Sequence, residues 1–276
     1  MKRVFPVAEV AVVLALFATL RLLLRGTPFA TWQKESFGSA PVTSALLFFV
    51  VPMVFLIASR RNPRLYGLAT HDLPYHRQVG LRAAGVLLPV ALLFPVIVLL
   101  GSTHEEWPGA LLMTAGVMVA GFLAVKRTAT LGNREPRTIS PIGTGVYLVT
   151  LVLGLLACFV FNLFSGVLAR AVQILIFVGF LEEFFFRGYL QSRLNDAFGR
   201  PYEFAGIAFG AGLFVSAVIF GLLHPLTSPE GIPWPWAVWT AAGGLLFGIL
   251  REKSGSVVAP AIAHGLFVLP TAFFSP

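Results

Sequence analysis

Long apolar runs recur along almost the whole chain, and they restrict it to one class of fold. A helix needs about 20 mostly apolar residues to cross a bilayer. Runs of that kind extend from the segment after Arg3 to Leu24 and then over 41–58, 79–101, 108–125, 142–165, 168–190, 204–223, 235–250 and 256–274. With 57% hydrophobic and 12% charged residues, the chain is too apolar for a soluble domain of 276 residues. The sequence predicts an all-α, polytopic transmembrane helical bundle with about nine spans, or eight because the run at 235–250 is short.

The basic residues lie in the short segments between these runs, and their distribution predicts the orientation. Loops on the cytoplasmic side carry an excess of Lys and Arg. An inner N-terminus places on that side Arg60, Arg61, Arg64, Arg77, Lys126, Arg127, Arg134, Arg137, Arg193, Arg200, Arg251 and Lys253. The outer side then holds Glu105, Glu106 and Glu230. Arg21, Arg25 and Lys34 do not fit, although Arg21 can extend its head group from the end of its helix.

We therefore predict an N-in protein that forms a single integral membrane domain over residues 1–276. The topology pattern accounts for the net charge of +8 without a nucleic-acid partner, because the basic residues form no single face. No internal repeat and no soluble domain is visible. The one cysteine, Cys158, lies in an apolar run, where we expect it to pack or to face lipid.

Three ionisable residues, Glu182, Glu183 and Arg187, interrupt the apolar stretch 180–190. Groups of this kind are costly at membrane depth and usually face a partner or a cavity. Glu183 and Arg187 are four residues apart, so they lie on one helix face and can form an ion pair. Glu182 points about 100° away from that face. An unpaired carboxyl group in an apolar site is a candidate general acid or base, so Glu182 is the candidate for chemistry.

Two histidines also stand in apolar sequence, His224 in one predicted span and His264 in another. A single histidine in such a place is usually a packing residue. Together with the Glu-Glu segment, however, they make three such sites within the last hundred residues, which favours a shared functional role. The remaining histidines, His71, His76 and His104, fall in polar segments and are predicted to be solvated.

The order of these polar residues resembles that of a known family. Glu-Glu-x-x-x-Arg occupies 182–187, Phe-x-x-x-His occupies 220–224, and His264 follows a segment of small residues and proline. This pattern is similar to that of the CAAX protease and bacteriocin-processing family of intramembrane glutamic endopeptidases. The resemblance covers residues 168–274, which it identifies as the motif-bearing catalytic core, and the preceding spans carry no motif.

The resemblance implies a mechanism and a role for each motif residue. Glu182 and His224 are expected to activate a water molecule that attacks a peptide carbonyl, and His264 is expected to help hold the oxyanion. The residues expected to support the site rather than react are Glu183, Arg187 and Phe220. No cofactor and no metal is implied. The implied partners are membrane lipid and a peptide or protein with a membrane-associated segment at or near its C-terminus, in the plasma membrane of a bacterium or archaeon.

One position departs from the family pattern. The family usually has Asn or a similar polar residue four positions after the last histidine, and this chain has Val268 there. Loss of one oxyanion donor typically costs a hundredfold or more in rate. Asn162 and Gln173 are polar residues in apolar runs and are candidate substitutes. Hydrogen bonding between helices is the more ordinary role for such residues.

Two other functions compete with this interpretation. One Glu and two His match the ligand set of a catalytic zinc ion, although the His-Glu-x-x-His pattern is absent. A transport or immunity protein that keeps the family fold without activity also fits, because ionisable residues inside spans suit a proton-coupled carrier. Replacement of Glu182 by Gln distinguishes an enzyme from a carrier, since it abolishes peptide cleavage in an enzyme and transport in a carrier.

Overall fold

The computed structural model describes residues 4–69, 71–134, 142–227 and 232–274, and most of them are helical. Arg137 and Glu230 of the predicted loops lie outside these ranges. The helices of the first half are α1 (Val4–Leu24), α2 (Pro28–Phe37), α3 (Pro41–Ala45), α4 (Val51–Ala58), α5 (Leu73–Ala91), α6 (Leu93–Leu99) and α7 (Trp107–Thr128). A π-helical stretch, Leu46–Val50, joins α3 to α4, and a 3₁₀ turn, Ala129–Leu131, follows α7.

The helices of the second half are α8 (Ile142–Asn162), α9 (Gly166–Val172), α10 (Leu181–Glu183), α11 (Ser192–Phe198), α12 (Ala211–Leu223), α13 (Trp234–Ser254), α14 (Val258–Val268) and α15 (Thr271–Phe274). Two π-helical stretches, Gln173–Val178 and Phe184–Gln191, connect α9, α10 and α11. We call residues 166–198 the motif helix, because this nearly continuous helical path carries both glutamates. A 3₁₀ turn, Pro225–Thr227, follows α12.

Five helical segments in the described ranges are long and apolar enough to cross a membrane: Phe5–Leu24, Pro41–Ala58, Leu73–Leu99, Trp107–Leu131 and Gly145–Asn162. Two shorter apolar segments are Ala211–Leu223 and Val258–Phe273. These helices confirm a polytopic helical bundle, and the protein is an integral membrane protein. The count of nine spans and the inner N-terminus stay predictions.

A short hairpin precedes α12, where the sequence predicted the start of a span. Strand β1 (Tyr202–Phe204) pairs with the antiparallel strand β2 (Ile207–Phe209). Ala205 and Gly206 between them both have positive φ, 50° and 76°, as a tight two-residue hairpin turn requires. The predicted run at 204–223 is therefore wrong at its start, because the apolar helix begins only at Ala211.

Local signals explain three of the helix boundaries near the site. The side chain of Thr27 accepts a hydrogen bond from the backbone N–H of Ala30 at the start of α2, and Gly38 ends that helix with a φ of 70°. The predicted runs 142–165 and 168–190 leave only two residues between them, and a tight turn is present there between α8 and α9. There the side chain of Ser165 accepts a bond from the N–H of Leu168, which caps the motif helix.

Two histidines that were predicted to be solvated are buried or packed. His76 has no exposed surface, and its ring centroid lies 5.5 Å from that of His71. His104 packs edge-on against Trp236 and Trp239, and its carbonyl accepts a 3.1 Å hydrogen bond from the Trp239 indole. Burial lowers the pKa of His104, so its neutral form is favoured. The prediction failed because the polar sequence neighbours of these histidines say nothing about which helices pack over them.

The buried apolar residues form two clusters. One joins α1, α3 and α4 to the motif helix, and its largest members are aromatic, including Phe17, Phe49, Phe184, Phe185 and Phe186. The other joins α5 and α7 to α13 and α14. The polar motif residues lie between the two clusters, where α12 and α14 approach the motif helix.

Glycines permit the closest helix contacts around this place. A Cβ atom on Gly179 of the motif helix would lie 2.8 Å from the Cα of Gly265 in α14. A Cβ atom on Gly221 of α12 would lie 2.5 Å from the carbonyl oxygen of Ala237 in α13. Real Cβ atoms do not approach so closely, so these helices pack backbone to backbone here. This packing brings the histidines of α12 and α14 toward the glutamates.

Candidate active site

Glu183 is the centre of a buried ionic group. Its Oε1 accepts a 2.8 Å hydrogen bond from Arg187 Nη1, and both side chains are fully buried. The same oxygen lies 2.9 Å from His264 Nδ1. An ionised carboxylate only accepts hydrogen bonds, so in this pair Nδ1 is the donor. The predicted Glu183–Arg187 pair is therefore observed, and the contact with His264 adds a partner that helical spacing did not indicate.

Glu182 has different surroundings, although it is the adjacent residue. Its Oε2 is buried and has no hydrogen-bond partner among the described residues. The side chain lines a cavity of about 290 Å³ rather than the ionic group. The other residues that line this cavity are Arg21, Ala40, Thr43, Ser44, Leu47, Phe48, Phe186, Leu223 and His224.

His224 follows the last residue of α12 and reaches the same cavity as Glu182. Its Nδ1 lies 2.7 Å from the carbonyl oxygen of Phe220, one turn earlier. A carbonyl oxygen can only accept, so this contact places the proton on Nδ1. In the neutral ring Nε2 is then the basic nitrogen. The ring packs edge-on against Trp236, with centroids 5.7 Å apart.

Phe220 separates the cavity from the ionic group. Its ring lies 4.1 Å from the Arg187 guanidinium carbon, 4.5 Å from the centroid of His224 and 5.7 Å from the centroid of His264. A guanidinium over an aromatic face is an attractive contact. Phe220 is itself 2% exposed. This geometry fits the predicted packing role.

His264 does not line the cavity that Glu182 and His224 share. Its ring stacks on Phe247, with centroids 4.7 Å apart and planes 22° apart, and its Nδ1 is engaged by Glu183. The three residues named as catalytic from the sequence therefore occupy two neighbouring places. Glu182 and His224 meet at the cavity, and His264 lies behind the ring of Phe220.

The candidate substitutes for the missing polar residue are engaged elsewhere. Asn162 Nδ2 donates a 2.9 Å bond to the carbonyl of Glu35, and Gln173 Oε1 accepts a 3.0 Å bond from Ser39. Neither residue lines the cavity. Both fill the ordinary role of hydrogen bonding between helices, as the sequence allowed. Val268 packs against the apolar cluster of α5, α7, α13 and α14.

Sequence reasoning did not find the polar residues that the first half of the chain contributes to the cavity. Arg21, Thr43 and Ser44 come from α1 and α3, far from any motif. One signal was available, because Arg21 is a basic residue that did not fit the charge pattern of the loops. No spacing rule connects it to Glu182, since only the packing of α1 on the motif helix brings them together.

The arrangement of donor side chains bears on the zinc interpretation. Within the described ranges, no group of three His, Cys, Asp or Glu side chains is arranged to hold a metal ion. Glu183 is already shared between Arg187 and His264. The described residues therefore provide no ligand cluster that supports the zinc interpretation.

Comparison with known proteins gives one match. A family model described as type II CAAX prenyl endopeptidase Rce1-like matches residues 164–269. No curated protein and no solved structure matches the chain. The matched segment contains both glutamates, Arg187 and both site histidines, so it agrees with the family resemblance of the motifs and indicates a membrane-embedded protease. Residues 164–269 are therefore similar to the Rce1-like type II CAAX prenyl endopeptidase domain.

Proposed function

We propose that the protein is an intramembrane endopeptidase of the CAAX-protease type, in which Glu182 and His224 activate the attacking water. The single observation that carries this proposal is that both side chains line one cavity, whereas Glu183 does not. Residues 168–274 are the proposed catalytic core within one integral membrane domain. The proposed substrate is a peptide or protein with a membrane-associated, C-terminal segment, in a bacterial or archaeal plasma membrane.

The proposed chemistry is hydrolysis without a covalent enzyme intermediate. Water between Glu182 and His224 loses a proton to one of these two groups while its oxygen attacks the peptide carbonyl carbon. The tetrahedral intermediate collapses as its C–N bond breaks, and the abstracted proton passes to the leaving amine. Glu182 suits this role because, unlike Glu183, it forms no ion pair with a described arginine or histidine. The basic Nε2 of His224 suits it because Nδ1 is tied to the Phe220 carbonyl.

Glu183, Arg187 and Phe220 are proposed to support this pair. The ion pair and the ring of Phe220 fill the space between the motif helix, α12 and α14, which holds His224 in position. His264 stays our candidate for a contact with the oxyanion, which requires the Phe220 ring to move from between His264 and the cavity. Because its Nδ1 donates to Glu183, His264 can donate from Nε2 only as an imidazolium ion.

The proposal is tested with the full chain in nanodiscs and a pair of synthetic peptides. The probes are a farnesylated peptide with three residues after the modified cysteine and the same peptide without the lipid. Products are identified by mass spectrometry. Wild-type protein should release a C-terminal fragment, and Glu182→Gln should lower kcat on the order of 10²–10⁴-fold, the usual contribution of a general base.

The matched control is Glu203→Gln, because Glu203 is an exposed carboxylate within the same family-matched segment. It should cleave as wild type does. Equal thermal stability of Glu182→Gln and wild type excludes misfolding as the cause of the loss. Full cleavage by Glu182→Gln would overturn the proposal. The proposal would also be overturned if the wild type cleaved neither probe and if the C-termini of membrane proteins were the same in cells with wild-type protein and in cells with Glu182→Gln.

A further inference from the structure

The cavity contains a cation that the proposed hydrolysis does not use. Arg21 lies in the last turn of α1 and is half-buried. Its guanidinium lines the cavity together with Glu182 and His224. Among the residues that the structure describes, none forms an ion pair or a side-chain hydrogen bond with it. An arginine in an apolar region that contacts no carboxylate directly, and interacts with Glu182 only at longer range, can bind an anionic ligand.

Hydrogen bonds and aromatic packing hold the helices that line this cavity in place. The buried side chain of Gln33 in α2 forms two hydrogen bonds with Thr43, each at 2.8 Å. Its amide N–H donates to the hydroxyl, and its carbonyl oxygen accepts from the backbone N–H. Below Arg21, Phe17 packs on Phe48 and Phe185, with centroids 5.1 and 5.0 Å apart. These contacts fix α1 and α3 against the motif helix, so Arg21 faces a preformed space.

Charge is distributed unevenly in this space. Glu182 and Arg21 are the two charged residues that line it. An ionised Glu182 repels a ligand carboxylate, whereas Arg21 attracts it. The guanidinium also presents its N–H groups as a planar fork that matches both oxygens of a carboxylate. A peptide with one carboxylate is thereby oriented with that group toward Arg21 and its backbone toward Glu182.

The length of the cavity favours a chain end over an internal side chain. Its wall follows the helix from Ala40 to Phe48, which corresponds to about 12 Å of helical rise. An extended peptide covers this distance with about three or four residues. A volume of about 290 Å³ corresponds to a short peptide segment. A C-terminus with the few residues before it matches this length and this volume.

We propose that Arg21 binds the free C-terminal carboxylate of the peptide substrate and so positions the peptide bond at Glu182 and His224. The inference rests on the proposed function and assigns a recognition role to a residue outside the family-matched segment. Arg21 acts in this account on substrate binding, because the carboxylate stays charged throughout hydrolysis and its contact is the same in the ground state and the transition state.

Binding is measured first, without turnover. The Glu182→Gln chain is placed in nanodiscs of neutral phosphatidylcholine and titrated with the farnesylated peptide as free acid, as C-terminal amide, and as amide with one internal Glu. The acid should bind about 10- to 100-fold more tightly than either amide, as expected for a charge-assisted hydrogen-bonded pair. Adding Arg21→Gln should remove this difference, and adding Arg21→Lys should keep part of it.

The matched control is Arg25→Gln, since Arg25 lies one turn farther along the chain, is exposed and does not line the cavity. It should keep the preference for the acid. In the active chain, Arg21→Gln should raise KM for the acid by the same factor and leave kcat unchanged. Cleavage of the amide should be insensitive to Arg21→Gln.

Several results would overturn the assignment. The assignment fails if the free-acid peptide and the C-terminal amide bind equally well, or if neither binds. It also fails if the amide with one internal Glu binds most tightly. A fall in kcat at constant KM in Arg21→Gln would instead place Arg21 at the oxyanion. Loss of the acid preference in nanodiscs that contain phosphatidylglycerol would assign the site to a lipid phosphate. If the acid preference depends on Arg21 but the wild type cuts nothing, the proposed function fails and this inference stands.

Discussion

At the scale of single residues, two adjacent carboxyl groups have opposite surroundings. Glu183 is fully buried, and one of its oxygens is shared between a guanidinium and an imidazole. Glu182 faces a cavity, and its Oε2 receives no hydrogen bond from the described residues. A rotation of about 100° along the helix produces this difference. Substitution of the two residues by Gln should therefore have separate consequences.

We expect Glu183→Gln to destabilise the fold, in contrast to Glu182→Gln. It removes the charge that compensates Arg187, and breaking one side of a buried ion pair typically costs about 3–5 kcal/mol. Thermal unfolding in detergent should show a clear fall in Tm for Glu183→Gln and little change for Glu182→Gln. The double variant Glu183→Gln with Arg187→Met should recover part of the loss, because no uncompensated charge remains. Equal Tm values for both single variants would contradict this account.

At the scale of helices, close backbone contacts decide where the site residues lie. Gly221 stands between Phe220 and His224 in sequence, and its missing side chain lets α12 touch α13. The pairing of helices at this distance is set by small residues, as is common between helices in membranes. His224 is thus positioned by a neighbour that takes no part in the chemistry.

We expect Gly221→Ala to lower stability and to weaken the site. The added Cβ would lie 2.5 Å from the backbone oxygen of Ala237 and 2.7 Å from the side chain of Ala241, so α12 must move. Overpacking of this kind typically costs about 1–3 kcal/mol. The control is Gly85→Ala in α5, which meets no atom within 4 Å and should be neutral or stabilising. Unfolding scans of both variants provide the measurement, and equal Tm values would refute the expectation.

Local periodicity was enough to predict part of the site from the sequence. The pairing of Glu183 with Arg187, the separate direction of Glu182 and the turn at Ser165 depend on neighbours within a few residues, and each is observed. The contact of His264 with Glu183 and the position of Arg21 join residues far apart in the chain. Such contacts depend on helix packing, which periodicity does not encode.

The hairpin before α12 was missed for a different reason. Its residues are apolar and aromatic, so composition alone assigns them to the neighbouring span. The backbone signal is confined to the turn at Ala205 and Gly206. A two-residue turn of this kind is decisive only when strands flank it, and strands of three residues are too short to recognise by alternation.

At the scale of the whole molecule, α1 is held by a polar network near its start and lines the cavity near its end. Near its start, Glu9 accepts two hydrogen bonds from Arg61, at 2.6 and 2.9 Å, and one each from Tyr189 and Arg193, at 2.7 and 3.1 Å. Near its end, Arg21 faces the cavity. The first helix thus connects the segment after α4, the motif helix and the candidate active site.

We expect Glu9→Gln to loosen this connection. The change leaves two guanidinium groups without their shared carboxylate, which is 7% exposed, and loss of one side of a largely buried network costs on the order of 3 kcal/mol. Hydrogen exchange should rise along α1 and the Tm should fall, whereas Glu35→Gln, at an exposed position in α2, should change neither. Unaltered exchange in Glu9→Gln would show that packing alone holds the helix.

The lining of the cavity has two origins along the chain. Glu182, Phe186, Leu223 and His224 belong to the family-matched segment, whereas the opposite wall, from Arg21 to Phe48, precedes it. Mutations that accumulate in the first fifty residues can therefore alter which peptides the proposed enzyme accepts and spare its proposed catalytic pair. A chimera that exchanges this leading portion between two related chains should transfer substrate preference while retaining turnover, which makes this portion the natural target for engineering new selectivity.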